Sequence, residues 1–141
     1  MAGKKIRIVL DTNVLYSGLY SSKGASFKVL QAIYKDRLKM VISTTLLFEY
    51  EEILKRNQAV LSLPYSEIEK LPDYFCLKSE HQKIYFLWRP RLPDPNDDHL
   101  LELAVASGTN LIVTYNEKHF KGIASFGVRS ITPKELMEYI L

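Results

Sequence analysis

Acidic side chains occur in this chain where an isolated carboxylate would be costly. Asp11 directly follows the apolar run 6–10, and a carboxylate leaving a buried strand needs a partner or a ligand. Asp94, Asp97 and Asp98 fall within five residues, where like charges repel unless a cation neutralises them. A single aspartate would be enough to cap the helix that begins there. The pattern therefore predicts a cation-binding site made of carboxylates.

A glutamate can join these aspartates from a helix predicted over residues 44–57. Its apolar side chains recur with a helical period, and they are Leu46, Leu47, Tyr50, Ile53 and Leu54. Glu49 and Glu51 both flank this stripe, whereas Glu52 points away from it. Glu49 lies about one turn nearer the preceding strand than Glu52, which favours it. Periodicity alone leaves both Glu49 and Glu51 open.

The available ligands favour a hard cation, Mg²⁺ or Mn²⁺, because they are oxygens rather than nitrogens or thiolates. His81, His99 and His119 are scattered and lack the spacing of a zinc site. Cys76 is the only cysteine among 141 residues, so no disulfide can form within the chain and the cytoplasm is the expected compartment. Nucleotide-binding and serine-hydrolase motifs are also missing from the sequence. These classes are therefore disfavoured.

The rest of the chain alternates between predicted strands and helices. Apolar, often β-branched runs predict strands at residues 6–10, 40–42, 83–88, 110–113 and 128–131. A Gly/Ser-rich turn is predicted over residues 17–24, before the first helix. Helices are predicted at residues 27–34, 44–57, 66 onward, 97–107 and 133 onward. This alternation implies right-handed crossovers and a mainly parallel sheet with helices on both faces. We expect one domain over residues 1–141, an α/β fold built as a three-layer α/β/α sandwich with about five strands.

Ligands of such sheets bind beyond the carboxyl ends of the strands. Polar segments follow the carboxyl ends of three predicted strands, namely Asp11-Thr12-Asn13, Ser43-Thr44-Thr45 and Thr114-Tyr115-Asn116. Ser43 and Thr44 are equally well explained as helix N-caps, and Asn13 as a turn residue. The carboxyl edge is therefore where the acids are expected to meet.

Four segments in this order resemble the PIN domain family, and within it the toxin nucleases of the VapC branch. The resemblance runs over essentially the whole chain, and the segments are Val9–Leu15, Ser43–Tyr50, Asp94–Asp98 with Ala104 downstream, and Ile112–Asn116 with His119-Phe120 after it. It implies that the second acid is Glu49 rather than Glu51. It also implies that the third is Asp98, with Asp97 as a helper.

The resemblance implies a PIN-like fold and a metal-dependent endoribonuclease. One or two Mg²⁺ or Mn²⁺ ions would be held by Asp11, Glu49 and Asp98, with Asp97 as a further ligand. Supporting roles fall on Thr12, Asn13, Ser43, Thr114 and Asn116, the hydroxyls of Thr12 and Thr114 positioning ligands or water. The family often has an aspartate where this chain has Asn116, which offers a carbonyl oxygen but no charge.

RNA is the implied substrate, and a negative site needs basic neighbours to attract its phosphates. Candidates are Arg89, Arg91, Lys118 and Lys121, although the net charge of the chain is only +3. A cognate antitoxin and a homodimer are further implications of the resemblance. No run approaches the roughly 20 apolar residues of a membrane span, so no membrane association is expected.

Two other classes compete with the nuclease. One is a PIN-like module that has lost catalysis through Asn116 and binds RNA or a protein. The other is an enzyme or receiver that forms an aspartyl phosphate on Asp11. The phosphatases of that class need a second acid two residues later, where this chain has Asn13, and receivers need paired acids near the first strand.

Overall fold

The computed structural model describes residues 5–61, 64–84, 92 and 97–140. Within these residues five strands form one sheet in which every pairing is parallel. In chain order they are β1 (Ile6–Leu10), β2 (Leu38–Ile42), β3 (Glu80–His81), β4 (Leu111–Val113) and β5 (Arg129–Ile131). Their spatial order is β3-β2-β1-β4-β5. The expected α/β fold with a parallel five-stranded sheet is confirmed.

Helices connect the strands. They are α1 (Thr12–Tyr20), α2 (Ala25–Tyr34), α3 (Thr44–Arg56), α4 (Gln58–Leu61), α5 (Tyr65–Lys78), α6 (Asp98–Ser107) and α7 (Pro133–Ile140), with short 3₁₀ helices at Glu117–Phe120 and Ile123–Phe126. Right-handed crossovers place the helices that connect β1 to β2 and β2 to β3 on one face of the sheet. The connection from β3 to β4 runs in the opposite direction across the sheet, so α6 lies on the other face. Accordingly α2 packs on β2 and α7, whereas α6 packs on β1, β2 and β4. No helix in the described part of the chain is long and apolar enough to cross a membrane.

The order of the strands reverses at β1, which lies between β2 and β4. Val9 is paired with Ile112 and Leu10 with Val113, so β1 and β4 end level with each other. The N–H of Asp11 extends this pairing by donating to the Val113 carbonyl at 2.9 Å. Crevices at such a reversal are where ligands of open parallel sheets bind.

Burial on both faces explains why the central strands are continuous apolar runs. Ile8, Val9 and Leu10 are completely buried, as are Ile112 and Val113. A strand covered by helices on both sides has no solvent face and therefore shows no alternation of polar and apolar residues. This core fixes the position of the polar residues that follow each strand.

The expected turn over residues 17–24 is wrong at its start, because α1 continues through Ser17 and Gly18 to Tyr20. Gly18 is needed for close packing. A Cβ there would lie 2.6 Å from Leu30 Cδ1 and 3.0 Å from the Ser26 carbonyl oxygen on α2. The glycine thus records a close approach of two helices rather than a bend in the chain.

Two other local expectations differ from the structure. The helix expected from Ser66 begins at Tyr65, has Pro64 at its N-cap position, and continues past Pro72 to Lys78. The third strand lies at Glu80–His81, not at 83–88, and residues 85–88 of that expected strand lie outside the described residues. This short, exposed edge strand pairs with β2 and is held by the Arg7–Glu80 salt bridge of 2.7 Å. Because the strand contains no apolar run, the sequence pattern did not predict it.

Candidate active site

Asp11 is the buried centre of the candidate site. It occupies the N-cap position of α1, yet its carboxylate makes no capping hydrogen bond. Thr114, the residue after β4, donates its hydroxyl to Asp11 Oδ2 at 2.8 Å, and the Thr12 hydroxyl lies 3.4 Å from Oδ1. The carboxylate of Asp11 is therefore oriented by hydroxyls from two neighbouring strand exits instead of capping its own helix.

Burial raises the pKa of Asp11 above its usual value. The hydrogen bond from Thr114 opposes this rise, while the negative charges of Asp97 and Glu49 add to it. Asp97 and Glu49 thus lie close enough to Asp11 for their negative charges to disfavour its ionised form. A cation among them would relieve both the burial of the Asp11 charge and this repulsion.

Glu49 is positioned by the way in which α3 is anchored. Ser43 caps α3 by accepting the Leu46 N–H at 3.1 Å, so the simple capping explanation of Ser43 describes what it does here. One residue after Glu49, the fully buried Tyr50 donates its hydroxyl to the carbonyl of Leu10. This bond ties α3 to the end of β1, immediately before Asp11. Sequence periodicity placed Tyr50 in the core but gave no indication of this link.

Asp97 and Asp98 face different partners although they are adjacent. Asp97 is at the N-cap position of α6 without a capping hydrogen bond, and its Oδ2 lies 2.8 Å from His119 Nδ1. Asp98 is almost fully buried, and its Oδ1 accepts the Leu92 N–H at 2.8 Å. The negative charge of Asp97 adds to the raised pKa of Asp11. Asp94 lies outside the described residues.

Two histidines contact acids of this cluster, which their scattered positions in the sequence did not indicate. His99 Nε2 on α6 lies 2.6 Å from Glu49 Oε2 on α3, and His119 contacts Asp97. The His99–Glu49 contact has an ion-pair distance without the alignment of a hydrogen bond. Both pairs join residues of different elements, so only the folded chain brings them together.

Two backbone N–H groups after β4 are hydrogen-bonded to side chains at the exits of β1 and β4. The Asn116 N–H donates to the Thr114 hydroxyl at 3.0 Å, and the Tyr115 N–H donates to Asn13 Oδ1 at 3.4 Å. Asn116 itself is exposed at the start of the 3₁₀ helix, and Lys118 and Lys121 are exposed after it. The other two basic candidates, Arg89 and Arg91, lie outside the described residues.

The donor set of this site consists of hard carboxylate oxygens, which fits Mg²⁺ or Mn²⁺ rather than zinc. Within residues 5–61, 64–84, 92 and 97–140, no three histidine, cysteine or acidic side chains already converge as ligands. Glu49 and Asp97 are instead each in contact with a histidine. The fit to a cation is supported by the raised pKa of Asp11, to which burial and then the negative charges of Asp97 and Glu49 contribute.

The fold and the site together define a parallel α/β domain with an acidic site at the carboxyl edge of its sheet. A family model described as PIN domain matches residues 7–118, most of the chain, from β1 to the 3₁₀ helix after β4. The chain belongs to the PIN domain family. PIN domains are generally nucleases, so this is a nuclease-type module. Among curated proteins, none matches the chain significantly.

Proposed function

We propose that this protein is a metal-dependent endoribonuclease that hydrolyses RNA phosphodiester bonds at the Asp11 site. The observation that carries the proposal is the Asp11 carboxylate, which Thr114 holds and whose pKa is raised first by burial and then by the charges of Asp97 and Glu49. A bound cation would offset both the burial of the Asp11 charge and its repulsion by the neighbouring acids. Membership of the PIN domain family supports the reaction class, and the local chemistry at Asp11 supports the metal dependence.

The third acid of the site is Asp97 in this proposal. The sequence favoured Asp98 with Asp97 as a helper, and both remain predictions. Asp97 is supported by its negative charge, which adds to the raised pKa of Asp11, while the almost fully buried Asp98 is engaged by the Leu92 N–H. We therefore assign ligation to Asp11, Glu49 and Asp97, and assign to Asp98 the positioning of Leu92.

One or two cations bound at these acids would activate water and stabilise the charge that develops on the phosphate oxygens. The protein's own groups set the geometry. Thr114 and Thr12 orient Asp11, and His99 and His119 restrain Glu49 and Asp97. Outer partners of this kind tune the affinity of the acids they orient.

RNA phosphates approaching this negative site need positive charge nearby. Lys118 and Lys121 are exposed and lie within the seven residues after Thr114. We propose that they contact the RNA backbone together with Arg89 and Arg91. Phosphate contacts of this type position the substrate without reading its sequence.

The deciding experiment is a calorimetric Mn²⁺ titration followed by incubation of total RNA with Mg²⁺ or Mn²⁺. The wild type is expected to bind the ion saturably and to cleave RNA, and Asp11→Asn is expected to do neither. Asp73→Asn, which removes an exposed aspartate on α5, is the matched control and should behave as wild type. Equal binding or equal cleavage by Asp11→Asn would contradict the proposal.

A second candidate is an RNA- or protein-binding module without catalysis, favoured by Asn116. Asn116 is exposed where the family often has an aspartate, and a neutral amide cannot neutralise a second ion. This candidate requires RNA binding that ignores Mg²⁺ and survives Asp11→Asn. Cleavage by the wild type discriminates between the two, because the nuclease cleaves RNA with Asn116 in place, whereas the binding module gains cleavage only as Asn116→Asp.

We further propose that the protein is the toxin of a toxin–antitoxin pair, active in the cytoplasm and assembled as a homodimer. The support is the resemblance of its four motifs to the VapC branch. Induced expression is expected to arrest growth with the wild type and not with Asp11→Asn. Growth arrest by both forms would separate toxicity from the acidic site.

A further inference from the structure

Tyr115 is an exposed aromatic residue at the edge of the acidic site. It immediately follows Thr114, whose hydroxyl donates to Asp11, and 47% of its surface is accessible. No other ring in the described part of the chain pairs with it, in contrast to Tyr16 and Tyr20, which stack on each other at 5.9 Å. Burial in the core therefore does not account for this side chain.

Both ends of Tyr115 are held in place. Its hydroxyl is hydrogen-bonded to the Ser26 hydroxyl, which is buried on α2, and its backbone N–H donates to Asn13 Oδ1. Tyrosine has few rotatable bonds, and a ring that is tethered before binding loses little conformational entropy when a ligand covers it. The molecule thus presents a pre-oriented aromatic ring next to its site for phosphodiester chemistry.

We propose that Tyr115 is a stacking platform that holds an unpaired base of the RNA beside the phosphodiester at Asp11. The inference rests on the proposed ribonuclease function and names a residue that positions its substrate. A base can lie on an aromatic ring only when it is not covered by its neighbours in a duplex. Stacking is also tolerant of sequence, because every base has a π-face.

The test measures binding of the full-length protein to a short single-stranded RNA that contains 2-aminopurine, in EDTA. Fluorescence quenching of the 2-aminopurine reports stacking, and the same RNA annealed to its complement is the comparison. Tyr115→Ala is expected to lose the quenching and to bind the single strand about 5- to 150-fold more weakly, the effect of one base–aromatic stack. Binding of the duplex should not change.

Tyr115→Phe separates the ring from its tether. This variant keeps the stacking face and loses the bond to Ser26, so it should retain quenching with an intermediate affinity. Tyr139→Ala, which removes an exposed tyrosine on α7, is the matched control and should bind as wild type. Melting curves of all variants show whether the fold is retained.

Wild-type quenching and affinity in Tyr115→Ala would overturn the inference, as would equal weakening for single strand and duplex. A wild type that does not bind the single strand would overturn it too. The RNA is afterwards analysed on a denaturing gel. Cleavage in EDTA would contradict the metal dependence of the proposed function, and it is recognised separately from any change in stacking.

Discussion

His99 Nε2 lies 2.6 Å from Glu49 Oε2, and this contact joins α6 to α3 across the candidate site. The imidazole is almost fully buried, while the carboxylate remains partly exposed. Among the described residues, His99 Nδ1 has no hydrogen-bond partner, so the contact with Glu49 is the polar interaction of this ring that the structure shows. His99 is thus placed to restrain the acid without touching a substrate.

His99→Gln is expected to weaken Mn²⁺ binding by about 10- to 100-fold, as when other outer partners of metal ligands are removed. The reason is that Glu49 loses its restraint while all carboxylates remain. Calorimetry measures the affinity, and the exposed His81→Gln serves as the control. An unchanged affinity in His99→Gln would show that the contact does not position Glu49.

Thr114→Val removes a buried hydroxyl that donates to Asp11 and accepts the Asn116 N–H. The loss is expected to cost about 1–3 kcal/mol in the free energy of unfolding, because Asn116 loses its acceptor and Asp11 a donor. It should also raise the pKa of Asp11 further, since this bond lowers it. Cation binding, which needs the ionised acid, should then begin at a higher pH. Thr114→Ser keeps the hydroxyl and should restore both properties in chemical denaturation and in titrations over pH.

Asp11→Asn is expected to stabilise the metal-free protein at neutral pH. Because the pKa of Asp11 is raised in the folded state, folding favours its protonated form. Stability is therefore lost as the pH rises from the pKa of Asp11 in the unfolded chain through its pKa in the folded protein. At pH 7 the ionised carboxylate destabilises the fold. Thermal unfolding in EDTA should show a higher melting temperature for Asp11→Asn than for wild type. The difference should disappear below the usual aspartate pKa of about 4. A lower melting temperature at neutral pH would contradict the burial and repulsion described for Asp11.

Asp97→Asn and Asp98→Ala are expected to fail in different ways. Asp97→Asn should abolish Mn²⁺ binding, and because its amide oxygen can keep the contact with His119 Nδ1, it should lower stability less than Asp98→Ala does. Asp98→Ala should lower the free energy of unfolding by about 1–3 kcal/mol, because the buried Leu92 N–H loses its acceptor. Calorimetry and denaturation of both variants decide between the two aspartates. Loss of ion binding in Asp98→Ala at full stability would return the role of ligand to Asp98.

Local signals in the sequence predicted the elements whose cause is local. The last helix begins where Thr132 and Glu135 cap each other, with the Glu135 N–H on the Thr132 hydroxyl and the Thr132 N–H on Glu135 Oε1, both at 3.2 Å. Strands buried on both faces appeared as apolar runs for the same reason. The sequence could not indicate α1 correctly, because Gly18 resembles a turn residue until α2 is packed against it.

Predictions about the candidate site also depended on local signals and missed contacts between distant elements. Asp11 was predicted from its unfavourable local position, whereas Glu49 was preferred to Glu51 through the resemblance to the PIN domain family. Their expected place at the carboxyl edge follows from the parallel sheet. The contacts that restrain them, His99 to Glu49 and Tyr50 to Leu10, join elements far apart in the chain. Such contacts leave no periodic trace in a single sequence.

The pairing of β1 with β4 also determines when the site can exist. Val9 and Ile112 are register partners although most of the chain lies between them, and contacts of such long range form slowly. Synthesis proceeds from the amino end, so Asp11 emerges long before Thr114 can reach it. A protein built in this order completes its acidic site only after β4 has been made, so a nascent chain that has not yet reached Thr114 lacks the hydroxyl that orients Asp11.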